Sequence, residues 1–126
     1  MKFLLSTLLF LVTLHLGAQD ITNQVAGAFK KSDAAGIAAF FMPQLELTMP
    51  DKEGVMEKAQ AQAALAQFLK ENQVTGFTIK HQGTSKLDDQ FRIAELVTAK
   101  GIYRVTFFMK KQDGAMKIKQ LKIERD

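Results

Sequence analysis

Apolar positions recur along this chain in three successive rhythms. From Phe3 to Leu16 they are nearly continuous. From Ile21 to Phe41 they fall at helical spacing: Ile21, Val25, Ala28 and Phe29 share one stripe, with Asp20 or Thr22 available as N-cap. Ser32 or Asp33 can cap a second helix whose Ile37, Phe40 and Phe41 line one face, with Pro43 as its stop. A period of two follows, because Leu45, Leu47 and Met49 alternate with Gln44, Glu46 and Thr48 and predict a strand up to Pro50. Asp51 to Gly54 reads as a turn, and Val55-Met56-Glu57 as a short strand pairing back. Lys58 to Glu71 is the clearest helix. It is rich in Ala, Gln and Lys, it carries Ala61, Leu65, Phe68 and Leu69 on one side, and Asn72 closes it.

Everything after Asn72 predicts an antiparallel meander. Phe77, Ile79 and His81 share one parity, Ser85 to Gln90 form a loop, and Phe91, Ile93, Glu95 and Val97 alternate in the next strand. Ala99-Lys100-Gly101 turns the chain into Tyr103, Val105, Phe107 and Met109, and Gln112-Asp113-Gly114 turns it again. In the last strand Met116 and Ile118 have one parity and Leu121 and Ile123 the other. An extra residue near Lys119-Gln120, a β-bulge, would restore a single buried face and bend the sheet; packing of the hairpin tip on its opposite side would account for the slip as well. A bent sheet curled over the helices leaves a cup, a common place for a ligand.

The first rhythm is an address rather than structure. Lys2 supplies a positive start, Phe3 to Leu16 is too short to span a bilayer, which takes about 20 residues, and Leu16-Gly17-Ala18 ends in small residues. Residues 1–18 therefore read as a signal peptide cleaved near Ala18-Gln19, and residues 19–126 as one exported domain, periplasmic or secreted, with no transmembrane segment in the mature form. The sequence contains no cysteine, which excludes disulfides, thiol catalysis, thiolate metal sites and a lipid-modified cysteine at the junction. Of the ten Phe and six Met, eight and five follow Ala18 and supply a core that needs no such staples. The formal charge of +4 is a mild excess that falls further when Lys2 is removed, and it is no nucleic-acid footprint. Lys110, Lys111, Lys117, Lys119, Lys122 and Arg125 cluster on the last hairpin, where they solvate the sheet and discourage edge-to-edge pairing; an anionic headgroup or glycan is the other partner such a cluster could meet.

The order of elements, N-terminal helices followed by a bent meander, resembles the cone-shaped α+β fold of the nuclear transport factor two-like superfamily. Particular residues sharpen the likeness. They are Lys58-Ala59-Gln60-Ala61 leading to Phe68, Phe77 with His81-Gln82-Gly83-Thr84-Ser85, Gly101-Ile102-Tyr103-Arg104-Val105, Lys110-Lys111, and Ile118 with Leu121-Lys122-Ile123-Glu124. Together they resemble an exported bacterial family within that superfamily, a domain of unknown function. The resemblance covers the whole chain after Ala18. It implies a helix-packed curved sheet and, as in many superfamily members, a homodimer through the sheet face. It does not choose among isomerases, dehydratases, small-ligand binders and interaction modules.

Candidate chemistry is sparse. His15 falls in the leader, so His81 is the one histidine left, and no carboxylate cluster stands beside it at metal-ligand spacing; no metal and no cofactor are expected. Ser85, His81 and Asp88 or Asp89 lie too close together in one extended segment to converge as nucleophile, base and orienter. If the strands on either side of Asp88 pair, His81 and Glu95 fall opposite each other, with Tyr103 and Phe107 on the same face. A carboxylate beside an imidazole makes an acid/base pair, and Tyr103 could donate to an oxyanion as in a ketosteroid-isomerase-like enzyme. Such an enzyme carries its catalytic tyrosine on a helix, and no helix after the leader has one here. The plainer reading is a cross-strand pair at the rim. The leading expectation is a non-catalytic binding module. It holds a small apolar or amphipathic ligand among Phe29, Phe41, Phe77, Ile79 and Phe107, or pairs through the open sheet face. The alternative is an isomerase- or dehydratase-like enzyme using His81, Glu95 and Tyr103.

Overall fold

A computed structural model describes residues 20–126, so the leader and its junction lie outside the described residues. Asp20 opens helix α1 (Thr22–Lys30) by accepting from both the amide and the hydroxyl of Thr22, one position ahead of the formal cap at Ile21. Asp33 caps helix α2 (Ala34–Ala38) by accepting from the Gly36 amide at 2.9 Å. Helix α3 (Lys58–Glu71) has the predicted bounds; Gln60 Oε1 accepts from the Glu57 amide at 3.3 Å to hold its first turn. Val25, Phe29, Ile37, Leu65 and Phe68 bury the faces that the 3.6-residue period marked out.

Six strands form one sheet in the order β2-β1-β6-β5-β4-β3. They are β1 (Phe41–Met49), β2 (Lys52–Glu57), β3 (Val74–Thr84), β4 (Gln90–Thr98), β5 (Gly101–Gln112) and β6 (Ala115–Arg125). All neighbours are antiparallel except β1 and β6, which run parallel, so the C-terminal strand of the meander closes against the N-terminal hairpin. The hairpin between β5 and β6 turns on Asp113 and Gly114, both at positive φ (51° and 81°), the geometry a two-residue loop needs to match strand twist.

Two boundaries differ from the sequence expectation. Helix α2 ends at Ala38, and Phe41 belongs to β1 rather than to a helical face. Pro43 does not stop the helix; it stands inside β1 where the pairing to β6 shifts register between Phe41 and Glu46, so no ladder bond is lost to its missing N–H. The turn expected over Asp51 to Gly54 is confined to Pro50-Asp51, because Lys52 already pairs with Met49.

The slip in the last strand is a bulge. Phe108 pairs with Gln120 and Met109 with Ile118, leaving Lys119 as the extra residue, and Met116, Ile118, Leu121 and Ile123 all bury on the inner face. Strand β3 shifts register twice against β4, at Thr75 and at Lys80, the latter separating the Ile79–Ala94 pair from the His81–Ile93 pair.

The helices pack on the inner face of the sheet, α1 over β3 and α3 over β1 and β2. Phe29 of α1 stacks on Phe77 of β3 with ring centroids 4.5 Å apart and planes within 3°. Phe29, Phe41, Phe107, Leu96 and Met109 are fully enclosed, and Phe77 nearly so. Phe29→Ala should therefore cost about 3–5 kcal/mol, the range for emptying a packed aromatic site, with the denaturant dependence of unfolding unchanged. Urea unfolding followed by circular dichroism measures it; a loss under about 1 kcal/mol would show that the ring does not hold the helix layer to the sheet.

Candidate functional site

The bulges at Lys80 and Lys119 and the burial pattern decide which side chains can meet. On β4 the buried parity is Arg92, Ala94, Leu96 and Thr98, so Phe91, Ile93, Glu95 and Val97 face outward, half-buried. Both parities are largely apolar: Ala94 and Leu96 are buried in the core, and Phe91 and Ile93 take the outer side. The Lys80 bulge turns His81 outward too, away from the face of Phe77 and Ile79, and leaves it exposed.

His81 and Glu95 thus share a face, as expected, but it is the outer one, and they are not directly opposed. His81 stands across from Ile93, and Glu95 across from Thr78 on one side and Arg104 on the other. Tyr103 pairs with Leu96 and is buried on the inner face. The expected three-residue convergence is therefore corrected: the sheet separates Tyr103 from His81 and Glu95. Of the residues expected to line a cup, Phe29, Phe41, Phe77 and Phe107 are packed core, and Ile79 is partly buried against them.

Sequence reasoning attached no function to Arg92, which the fold buries. Its Nε donates to Thr22 Oγ1 at 2.8 Å, Nη1 to the Phe91 carbonyl at 2.9 Å, and Nη2 to Gln90 Oε1 at 3.1 Å, with Asp20 Oδ2 at 3.4 Å. This satisfies a buried guanidinium and ties the start of α1 to β4. A second buried polar group is Asp89, held by Lys119 reaching from the bulge of β6 across β5. Among the described residues no group of three His, Asp or Glu is placed to hold a metal ion.

Two surfaces remain. The first is the outer sheet face, where Phe91 stands opposite Phe108 (centroids 6.0 Å apart), Val97 opposite Ile102, and Glu95 opposite Arg104, which itself faces Glu124 on β6. Phe91 also lies over Gly83, so closely that a Cβ there would come 2.7 Å from its ring. The second is a cleft of about 280 Å³ at the end of the sheet. Its walls are the β1–β2 turn (Met49 to Lys52) and the last turns of α3, closed by Lys100 and Arg125. At its base the Tyr103 hydroxyl donates to Asn72 Oδ1 at 3.1 Å, and Asn72 Nδ2 donates to the Phe68 carbonyl at 2.9 Å. The sequence marked Asn72 as a helix stop and Tyr103 as a donor; nothing in the linear pattern joined them.

Residues 22–124 match the family model of a domain of unknown function, DUF4783. The chain belongs to the DUF4783 family. A DUF4783 protein of known structure from Bacteroides fragilis is 28% identical, with a TM-score of 0.78 over 85% of this chain and 100% of that one. Another, from Bacteroides ovatus, is 29% identical, with a TM-score of 0.76 over 82% of this chain and 93% of that one. A candidate scytalone dehydratase from Novosphingobium aromaticivorans shares the fold alone, at 14% identity and a TM-score of 0.64 over 84% of this chain and 79% of that one. No curated protein matches. The DUF4783 chain thus has the nuclear transport factor two-like α+β fold, with helices on a curved six-stranded sheet.

The Asp20–Arg92 contact carries a pH signature. Partial burial pushes the Asp20 carboxyl up, but the two Thr22 hydrogen bonds and the Arg92 charge outweigh it and hold the group below its ordinary 3.8. A lowered folded value means the carboxylate adds stability above pH 3.8 and loses it as pH falls through the folded value. Asp20 is 60% exposed, so the contribution is screened to about 1 kcal/mol or less. Asp20→Asn should be less stable than wild type at neutral pH, and the gap should close on acidification. A gap independent of pH, in paired denaturation curves, would show that the carboxylate charge has no part in the clasp.

Proposed function

We propose that this DUF4783 protein is an exported, non-catalytic interaction module that pairs with a second copy of itself through the outer face of the sheet. The observation that carries this reading is the division of aromatic residues between the two faces. The inner cup is packed with Phe29, Phe41, Phe77 and Phe107, so among the described residues these rings serve as core rather than as the lining of a ligand chamber. The outer face presents Phe91, Ile93, Val97 and Phe108 half-buried and Ile102 46% exposed. Sheet positions that stay apolar on the solvent side are suited to a partner.

Glu46, Glu53 and Glu57 stand on the outer parity of β1 and β2. Arg104 and Lys122, on that of β5 and β6, are paired within the chain with Asp126 and Glu124. The apolar positions therefore carry the pairing, and a two-fold axis makes each of their contacts twice. Separation of Tyr103 from His81 and Glu95 removes the geometric support for the isomerase-like alternative. Export rests on the leader pattern of Met1 to Ala18.

Protein recovered from the periplasm or medium should begin at Gln19 by N-terminal sequencing, and sediment at twice the chain mass at about 100 µM. Ile93→Glu with Ile102→Glu should return it to the monomer mass with an unchanged far-ultraviolet spectrum. A wild-type protein that stays monomeric through this range would overturn the pairing, and an intact Met1 on cell-associated protein would overturn export.

A further inference from the structure

We infer that the cleft beside Tyr103 is a binding site for a small organic carboxylate with a flat apolar body. Three segments far apart in sequence bring one cation each to its rim: Lys52 from the β1–β2 hairpin, Lys100 from the β4–β5 turn and Arg125 from the end of β6. None of the three takes part in an ion pair among the described residues, although Asp51 and Glu71 also line the cleft. Glu71 accepts from Gln67 Nε2 at 2.6 Å and keeps its charge. Three cations against two carboxylates leave the lining with an excess of one positive charge. Cations at a concavity that are not committed to ion pairs favour an anion from solution.

The base of the cleft specifies what the anion is attached to. Phe68 and Tyr103 meet edge to face with centroids 5.1 Å apart, and Arg125 lies 5.4 Å from the Tyr103 ring centroid. Cation–π packing fixes the guanidinium over an aromatic surface and leaves its N–H fork for a planar acceptor, which a carboxylate matches in a bidentate way. Asn72 uses one Nδ2 hydrogen on the Phe68 carbonyl and its Oδ1 on Tyr103. An amide nitrogen has two hydrogens, so one neutral donor is left at the base. A space of about 280 Å³ accepts a molecule of roughly benzoate size rather than a steroid or a lipid chain. This inference is independent of pairing through the sheet, because the cleft is lined from the inner side and the end of the sheet.

The test is titration of the protein, observed by amide chemical shifts, with benzoate, its neutral isostere benzamide, and inorganic phosphate. Benzoate should bind with a Kd on the order of 0.1–1 mM, which suits so few heavy atoms, and shift the Asn72, Lys100 and Tyr103 amides. Benzamide should bind at least about tenfold more weakly, for want of the charge. Lys52→Gln with Lys100→Gln and Arg125→Gln should weaken benzoate by about tenfold or more; all three sites are exposed, so the variant is expected to fold. Tyr103→Phe supplies a second reading, since it frees Asn72 Oδ1 and should alter benzoate affinity without touching charge. Equal binding of benzoate and benzamide, tighter binding of phosphate than of benzoate, unchanged affinity in the triple variant, or shifts confined to residues outside the cleft would each overturn the assignment.

Discussion

The sheet keeps one row of side chains against the helices while it curls beneath them, and extra residues at Lys80 in β3 and Lys119 in β6 accommodate the bend in those two strands. Twelve-residue β5 keeps its alternation throughout, burying Tyr103, Val105, Phe107 and Met109. Each extra residue lets the chain bend and restarts the alternation on the other parity. In β6 this keeps Met116, Ile118, Leu121 and Ile123 on one buried face, and in β3 it releases His81 to solvent once Phe77 and Ile79 have packed.

The filled interior follows from that curvature. A sheet bent over α1 and α3 brings β3 close enough for Phe29 and Phe77 to stack. The same closeness explains the buried Arg92. With α1 lying over the sheet, the start of the helix comes within reach of β4, and Thr22 and Asp20 supply the acceptors that let a guanidinium stay under cover. The surfaces this packing leaves accessible include the outer face and the cleft at the end of the sheet.

Most of the elements were legible because their local signals agree. Lys58–Glu71 has helix formers throughout and a clean apolar stripe, so its bounds were readable to the residue. Asp113-Gly114 could be read as a tight turn because those two residues tolerate positive φ. Phe41 was misplaced on a helix because its spacing from Ile37 and Phe40 fits a helical face as well as it fits the start of a strand. On β4 the sequence offers two apolar parities, and periodicity alone has no means of choosing between Phe91, Ile93 and Val97 on one side and Ala94 and Leu96 on the other.

The sequence by itself determined the α+β order of helices and strands, the tight hairpin of the last two strands and the slip of parity near Lys119, which left a bulge and opposite-side packing both open, because each depends on neighbours within a few residues. Only the tertiary structure decided which face of β4 is inside, that Tyr103 parts company with His81 and Glu95, and that Lys52, Lys100 and Arg125 share one rim. Those outcomes depend on helix-to-sheet distance, on a bulge at Lys80 that no residue type announces, and on a parallel contact between β1 and β6. They arise from packing between segments tens of residues apart, where local periodicity carries no information.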